Sequence, residues 1–331
     1  MSYEILGIGG PILDQLLSVS EAFLATVAGD KGGMLPVDFK TLETIIAGSG
    51  NIPISVPGGS TRNTLHGLSR FGERCALLGM VGTDPRGKFY RTLLKEQGIY
   101  PLLIESETPT AIVLSLVSPD GERTMRTFQG ATVEIRGKHL VPSHFSQAKL
   151  VHLEGYTLFN EDLTETAMRF AKEAGALVSF DLASFEIVKK FHPHILYLLD
   201  TYVDVIFANV EEVCALTGDK DPEKGCVFLA DRCEIGVVLM GPCGCWVKQG
   251  CVKIHCPAYP VQPLDTTGAG DLFASGFLHG LMRGYPLEIC AHYGAIAGRA
   301  VVQVMGPVIP HEVWEEIYFH SKKTCSYTDP N

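Results

Sequence analysis

The sequence predicts an α/β fold: a mainly parallel sheet with helices on both faces, plus a small antiparallel β-sheet serving as a lid. Two observations predict the large part. Short apolar runs at 75–81, 150–153, 177–180, 203–207 and 235–240 alternate with amphipathic segments at 85–97, 162–174, 193–201 and 210–217. The runs carry no polar alternation, as expected of strands covered on both faces. Asp84-Pro85 is a strong helix start, a capping carboxylate followed by proline at the first helical position. A third observation predicts the small sheet. Strand-like segments at 110–117 and 123–128 flank the turn Ser118-Pro119-Asp120-Gly121-Glu122, and two more lie at 12–19 and 52–56. The connection between the last two contains Gly29-Asp30-Lys31-Gly32-Gly33. Residues 1–331 are expected to form one subunit, with lid segments at approximately 12–57 and 101–130. An edge extension of the main sheet is the alternative to a separate lid.

A chain of 331 residues, 46% apolar and 19% charged, can bury a substantial core. The formal charge of −10, with no run of five basic residues, argues against binding nucleic acid or an anionic membrane through net charge. A local basic pocket for a phosphate stays open. Apolar stretches fall short of the roughly 18 residues that span a bilayer. The first residues lack the basic and apolar regions of a signal peptide. A cytoplasmic address with reduced thiols is therefore expected for the ten cysteines. Cys243, Cys245, Cys251 and Cys256 crowd together, but C-x-C is tighter than paired zinc ligands, and the stretch alternates like a hairpin around Gln249-Gly250. The polar tail, 321–331, is expected to fray.

The most informative stretch is Asp265-Thr266-Thr267-Gly268-Ala269-Gly270-Asp271, running into an apolar helix. Small residues before a helix start let several backbone N–H groups converge, and the helix dipole adds positive charge, which suits a phosphoryl group. Asp271 either caps the helix or works on what binds there; positioning outweighs base strength in phosphoryl transfer, so the two are compatible. A second stretch, Pro57-Gly58-Gly59-Ser60-Thr61-Arg62-Asn63, enters another helix. Either Asn63 and the glycines meet paired hydroxyls, or the stretch is a turn with Ser60 as N-cap. Gly7-Ile8-Gly9-Gly10-Pro11 has Ile12 where a dinucleotide fingerprint needs glycine, which disfavours a dehydrogenase and leaves a tight strand end projecting Asp14.

Together these stretches resemble the ribokinase/PfkB family of carbohydrate and nucleoside kinases over nearly the whole chain. D-T-x-G-A-G-D stands in full at 265–271, and Asn209-Val210-Glu211-Glu212 fits the family's N-x-x-E. The resemblance implies a Rossmann-like domain with a β lid and an ATP-dependent kinase acting on an alcohol, with Mg²⁺ and, in many relatives, K⁺. It implies Asp271 as general base, the amides of Gly268, Ala269 and Gly270 as anion hole, and Arg123 over the phosphates. Asp14, Gly59, Ser60 and Asn63 would hold the substrate. Asn209 and Glu212 would organise Mg²⁺ through water, and Asp265 would help hold the monovalent cation. ATP would lie along Gly241 to Gly244, Thr266 and the helix containing His292 and Gly294 to Gly298. Gly58-Gly59-Ser60-Thr61, Lys31-Gly32-Gly33-Met34 and 152–156 are most similar to the adenosine-kinase-like branch, which implies a purine nucleoside. Ile12, Met34, Phe128 and Tyr156 would then make a slot for the base, or else pack as ordinary lid and core. Gly10 stands where that branch usually has asparagine, so inosine, guanosine or a free sugar such as ribose or fructose also stay open. A catalytically silent ligand-binding relative is the alternative from another class. The subunit is expected as a monomer or a homodimer.

Overall fold

Nine strands pair into one sheet and five into a second in the computed structural model, which describes residues 2–325. The strands are β1 (Ile5–Ile8), β2 (Ile12–Ser18), β3 (Met34–Pro36), β4 (Ile54–Gly58), β5 (Cys75–Gly82), β6 (Ile99–Ser106), β7 (Ala111–Val117), β8 (Arg123–Phe128), β9 (Leu150–Glu154), β10 (Leu177–Asp181), β11 (Val205–Asn209), β12 (Ile235–Leu239), β13 (Cys245–Gln249) and β14 (Val252–Cys256). The helices are α1 (Glu21–Leu24), α2 (Phe39–Ser49), α3 (Ser60–Arg70), α4 (Pro85–Glu96), α5 (Glu161–Glu173), α6 (Phe185–Thr201), α7 (Val210–Thr217), α8 (Pro222–Ala230), α9 (Ala269–Met282), α10 (Leu287–Val301) and α11 (His311–Cys325).

The large sheet has the order β14-β13-β12-β11-β10-β9-β1-β5-β6 and is parallel except at the β12–β13–β14 hairpin edge. Every residue of β5 is buried, because alternate side chains feed two cores. Leu78 and Met80 pack with the side of α5 to α8, while Leu77 and Val81 pack with α3, α4, α9 and α10. Helix ends follow local chemistry: Asp84 accepts from the Gly87 amide at 2.8 Å with Pro85 at the first position, as the sequence predicts. Helix α6 starts earlier than expected, at Phe185, since Ser184 caps it and Pro193 is absorbed by a kink at Phe191.

The small sheet, β3-β8-β7-β2-β4, is mixed rather than antiparallel: β2–β7 and β3–β8 are parallel, β2–β4 and β7–β8 antiparallel. The reason is topological. Strands β2 and β7 follow β1 and β6 across short links, and β1 and β6 both run parallel to β5, so the chain leaves the large sheet twice in the same direction. The second lid segment accordingly begins at Ala111, not at residue 101; residues 101–106 belong to β6 and pair with β5 in the large sheet. The long connection between 19 and 52 holds α1 and α2, which cover one face of the small sheet through Leu17, Leu42, Ile112 and Leu114.

No helix among the described residues is long and apolar enough to cross a membrane. Of the polar tail, residues 321–325 continue α11 rather than fraying, and 326–331 lie outside the described residues.

Helices α9 and α10 press backbone to backbone. A Cβ on Gly276 would strike the Tyr293 carbonyl, and one on Gly294 would strike that of Phe273. Since a close-packed core tolerates little added volume, Gly276→Val is expected to lower stability in urea unfolding by about 2–3 kcal/mol. Gly298→Ala, whose new methyl meets nothing closer than 3.5 Å, should instead be neutral or gain up to ~1 kcal/mol.

Candidate active site

Two helix starts converge. Helix α9 begins after Gly268, whose φ of 79° is left-handed backbone and whose missing Cβ clears Pro307. Helix α3 begins after Gly59, with φ 100°, where a Cβ would strike the Gly10 carbonyl. Neither bland reading of the two polar residues survives. Ser60 is the first residue of α3 and does not cap it, and Asp271 is the third residue of α9 and does not cap that helix. Instead they meet: Ser60 Oγ donates to Asp271 Oδ1 at 2.7 Å, and Asn63 Nδ2 donates to Oδ2 at 2.8 Å. Burial pushes the Asp271 carboxyl above the usual aspartate range, with Ser60, Asn63 and the Arg62 guanidinium pulling the other way.

Arg62, which the sequence reading did not single out, fixes the orientation of Asn63. It is buried, its Nε and Nη2 donate to Gln97 Oε1 (3.2 and 2.6 Å), and its Nη1 donates to Asn63 Oδ1 at 2.9 Å. With Asn63 Oδ1 thus occupied, its Nδ2 turns to Asp271. Glu154, at the carboxyl end of β9, is a second residue not singled out for a role. Its buried carboxylate accepts from the Gly10 amide at 2.9 Å and the Thr61 amide at 2.6 Å, tying the β1–β2 turn to the start of α3.

Asp14 projects from β2 beside this junction, where Gly58 leaves room for its carboxylate. Burial raises its pKa to about 6, against the pull of Arg62 and Arg123. Arg123, from the far end of β8, reaches Asp265 with Nη2 3.3 Å from Oδ2. Asp265 also accepts from the Thr267 amide and hydroxyl (3.0 and 2.7 Å) and from the Gly306 amide at 2.8 Å. Burial alone would raise its pKa, but these donors and Arg123 hold it below the usual range. Oδ1 accepts twice and Oδ2 once with Arg123 beside it, so Oδ2 can serve as the cation ligand that the resemblance implies once Arg123 turns to another anion. Of the three amides expected in the anion hole, that of Ala269 donates to the Thr266 carbonyl at 3.1 Å. Gly268 and Gly270 are the two that remain, and Gly270, in the first turn, lacks an intrahelical acceptor.

A cavity of about 790 Å³ runs from Ser60, Tyr156 and Asp271 past Thr266, Gly268 and Gly270 to Asn209, Glu212, Gly241 and Gly244. Asn209 and Glu212 form a reciprocal cap on α7: the Glu212 amide donates to Asn209 Oδ1, and the Asn209 amide to Glu212 Oε2. Burial raises the Glu212 carboxyl to about 7. Asp181, a neighbouring acid in the same cavity that was not proposed for a role, is driven well upward by burial and then by Glu212 and Asp271. Two acids that repel each other in a poorly solvated place suit a cation. No cluster of three or more ligating side chains exists among the described residues, so a divalent ion held here would keep most of its water, as Mg²⁺ does.

Two further residues lie elsewhere than expected. His292 is not part of the cavity lining; its Nδ1 faces the Tyr259 hydroxyl at 2.6 Å. Phe128 turns to the opposite face of the small sheet, its ring 5.3 Å from that of Phe39, and cannot line a slot over Asp14. Cys245 and Cys256 stand directly opposite each other in the β13–β14 hairpin that the alternation predicts, whereas Cys243 and Cys251 lie in the flanking turns and are exposed rather than buried strand thiols.

Comparison with known proteins adds three findings. Residues 54–314 match the model of the pfkB family carbohydrate kinases. Among curated relatives, probable fructokinase-7 of Arabidopsis thaliana is 30% identical over 68% of this chain and 70% of its own length. Aminoimidazole riboside kinase of Salmonella typhimurium is 26% identical over 70% of this chain and 76% of its own. Among solved structures, adenosine kinase from Sinorhizobium meliloti superposes with a TM-score of 0.84 at 30% identity, covering 97% of this chain and all of the other.

The brace at Glu154 can be tested directly. Glu154→Leu leaves the Gly10 and Thr61 amides without their acceptor, at ~1–3 kcal/mol for each buried unsatisfied group. A loss of about 3 kcal/mol in urea unfolding is expected; a loss below about 1 kcal/mol would show that water or another residue takes over.

Proposed function

This chain belongs to the pfkB family of carbohydrate kinases, ATP-dependent enzymes that phosphorylate sugars or nucleosides, and we propose that its acceptor is the 5′-hydroxyl of a purine nucleoside. The observation that carries this reading is the face of the lid that bears Asp14. Register places Val56, Val113 and Thr127 level with Asp14, and Ile54, Leu16 and Met125 in the next row, with Met34 beside Met125. One carboxylate set in a mostly apolar surface, with Thr127 beside it and the buried Ser115 between Leu16 and Met125, suits a ribose whose hydroxyls meet Asp14 and whose base meets Ile12, Met34 and Met125. Met34 is 65% exposed, an apolar side chain waiting for a partner. The 30% identity to an adenosine kinase over nearly the full length supports the same reading.

In this reading Asp14, Asn63 and the Gly59 backbone hold ribose hydroxyls, and Tyr156 flanks the slot. ATP lies in the 790 Å³ cavity along Gly241, Gly244, Asn209 and Thr266. The 5′-oxygen attacks the terminal phosphorus, the bond to the bridging oxygen of ADP breaks, and the hydroxyl proton passes to Asp271, which releases its bond to Ser60 to receive it. The Gly268 and Gly270 amides and Arg123 neutralise charge on the transferred group. Asn209, Glu212 and Asp181 would hold Mg²⁺ through its water; when bound, the ion screens the phosphates. The second reading, a free sugar as acceptor, is favoured by the identity to a fructokinase.

ADP release measured against nucleosides and sugars at matched concentrations separates the two readings; turnover confined to sugars overturns the first. Asp271→Asn should retain ligand binding and lower kcat by about 10²–10⁴-fold, the usual contribution of a general base. Survival of turnover within a few-fold removes Asp271 from the role. Because the ionised Asp14 accepts from hydroxyls more strongly than the neutral acid does, KM for the acceptor should rise as pH falls through about 6, and this dependence should vanish in Asp14→Asn.

A further inference from the structure

Strand β8 carries two arginines on opposite faces. Arg123 turns toward Asp265, whereas Arg126 turns into the face covered by α1 and α2 and is 1% exposed. Its Nη1 donates to the carbonyls of Met125 at 2.8 Å and Gly33 at 3.4 Å, but Nε and Nη2 find no partner. These two nitrogens form the side-on edge of the guanidinium, a parallel pair of N–H donors that matches the two oxygens of one carboxylate. A buried cation with an unused fork is costly unless an anion completes it, and the one acid that draws on Arg126, Asp30 in the turn 29–33, makes no hydrogen bond to it. Gly29, at φ 93°, crosses over Nη2 so closely that a Cβ there would lie 2.9 Å from it; the turn 29–33 is thus the cover of the fork.

Arg126 also lines a cavity of about 560 Å³, separate from the one that meets Asp271. Phe23, Val27, Val37 and Ile45 give it apolar walls, Thr44 and Lys40 stand on its α2 side, and no acidic side chain lines it. The size is that of a small-molecule site. The lining carries two cations, Arg126 and Lys40, three threonine hydroxyls on its α1 and α2 sides, and apolar side chains between them. We propose that this cavity binds a small organic carboxylate with a compact apolar body, received by the Arg126 fork as the turn 29–33 shifts aside. Inorganic phosphate shares the fork but leaves the apolar walls unused. The ligand is not a substrate, since the site lies on the far face of the small sheet from Asp14.

Calorimetric titration of the full chain with benzoate, and with inorganic phosphate in parallel, tests the assignment. Benzoate is expected to bind and to raise the melting temperature, phosphate to bind far more weakly. Arg126→Met, and Thr44→Trp from the opposite wall, should each weaken benzoate by at least about tenfold while leaving kinase turnover unchanged. Should Arg126→Met fail to fold, Thr44→Trp decides. Absent binding to the unaltered chain, an equal response to phosphate, undiminished binding in the variants, or competition by the nucleoside would each overturn the proposal.

Discussion

One carboxylate shared between two helix starts organises this molecule. Asp271 belongs to α9, yet both of its oxygens are held from α3, by Ser60 and Asn63. The arrangement works only if the two helices keep their spacing, and each has its own support. Helix α9 lies hard against α10 at Gly276, and a Cβ on Gly67 of α3 would run into Ser275 of α9. Helix α3 is tied at its first turn to β1 and β9 through Glu154. The chain Gln97–Arg62–Asn63 then reaches Asp271 from the end of α4, so three elements of the large domain agree on the orientation of one amide.

Charge is distributed along the cavity by the same logic. Acids sit where the chain can bury them: Asp14 beside the lid, Asp271 in the middle, Asp181 and Glu212 at the far end. Each has its pKa raised mainly by burial. The positive groups placed among them are Arg62, buried in the core, Arg123 on the small sheet, and Arg299, which lines the cavity from α10. A polyphosphate brings negative charge into a place already rich in it. That explains why backbone amides and a hydrated cation, rather than a cluster of lysines, suit the site.

Much of this was legible in the residues. The strands at 75–81, 150–153, 177–180 and 235–240 announced themselves because a doubly covered parallel strand has no polar face to confuse the pattern. The 265–271 stretch stands out through small residues next to an acid, and the structure brings that acid to the start of α3. What stayed hidden depends on pairing across distance. Arg62 reads as an ordinary helical arginine until Gln97 is found beside it, and Glu154 as one acid among many until two amides meet it. Helix α2 went unremarked although Asp38 caps it and Phe39, Leu42, Ile45 and Ile46 share a face, because the glycine-rich turn before it drew attention to the loop. The residue types leave Phe128 open between a slot and lid packing, and it packs on Phe39; Arg126, on the same face, occupies a position whose burial does not follow from its charge. The mixed pairing of the small sheet follows from where two chain segments exit, which no local pattern encodes.

The exits themselves have a mechanical consequence. Ile12, Gly58, Ala111 and Phe128, where the four long strands of the small sheet meet the rest of the chain, stand in adjacent register at one end of that sheet. They therefore define an axis, and a rotation of the sheet about it would leave every strand ladder intact while straining the Arg86–Glu43 ion pair between α4 and α2. Asp14 lies two residues from that axis, ~7 Å at strand spacing, while Arg123 sits level with Val117, ~20 Å away. A given rotation displaces the arginine about three times as far as the carboxylate. Under such a rotation the carboxylate would stay nearly in place, and the Arg123–Asp265 contact would be the part that travels.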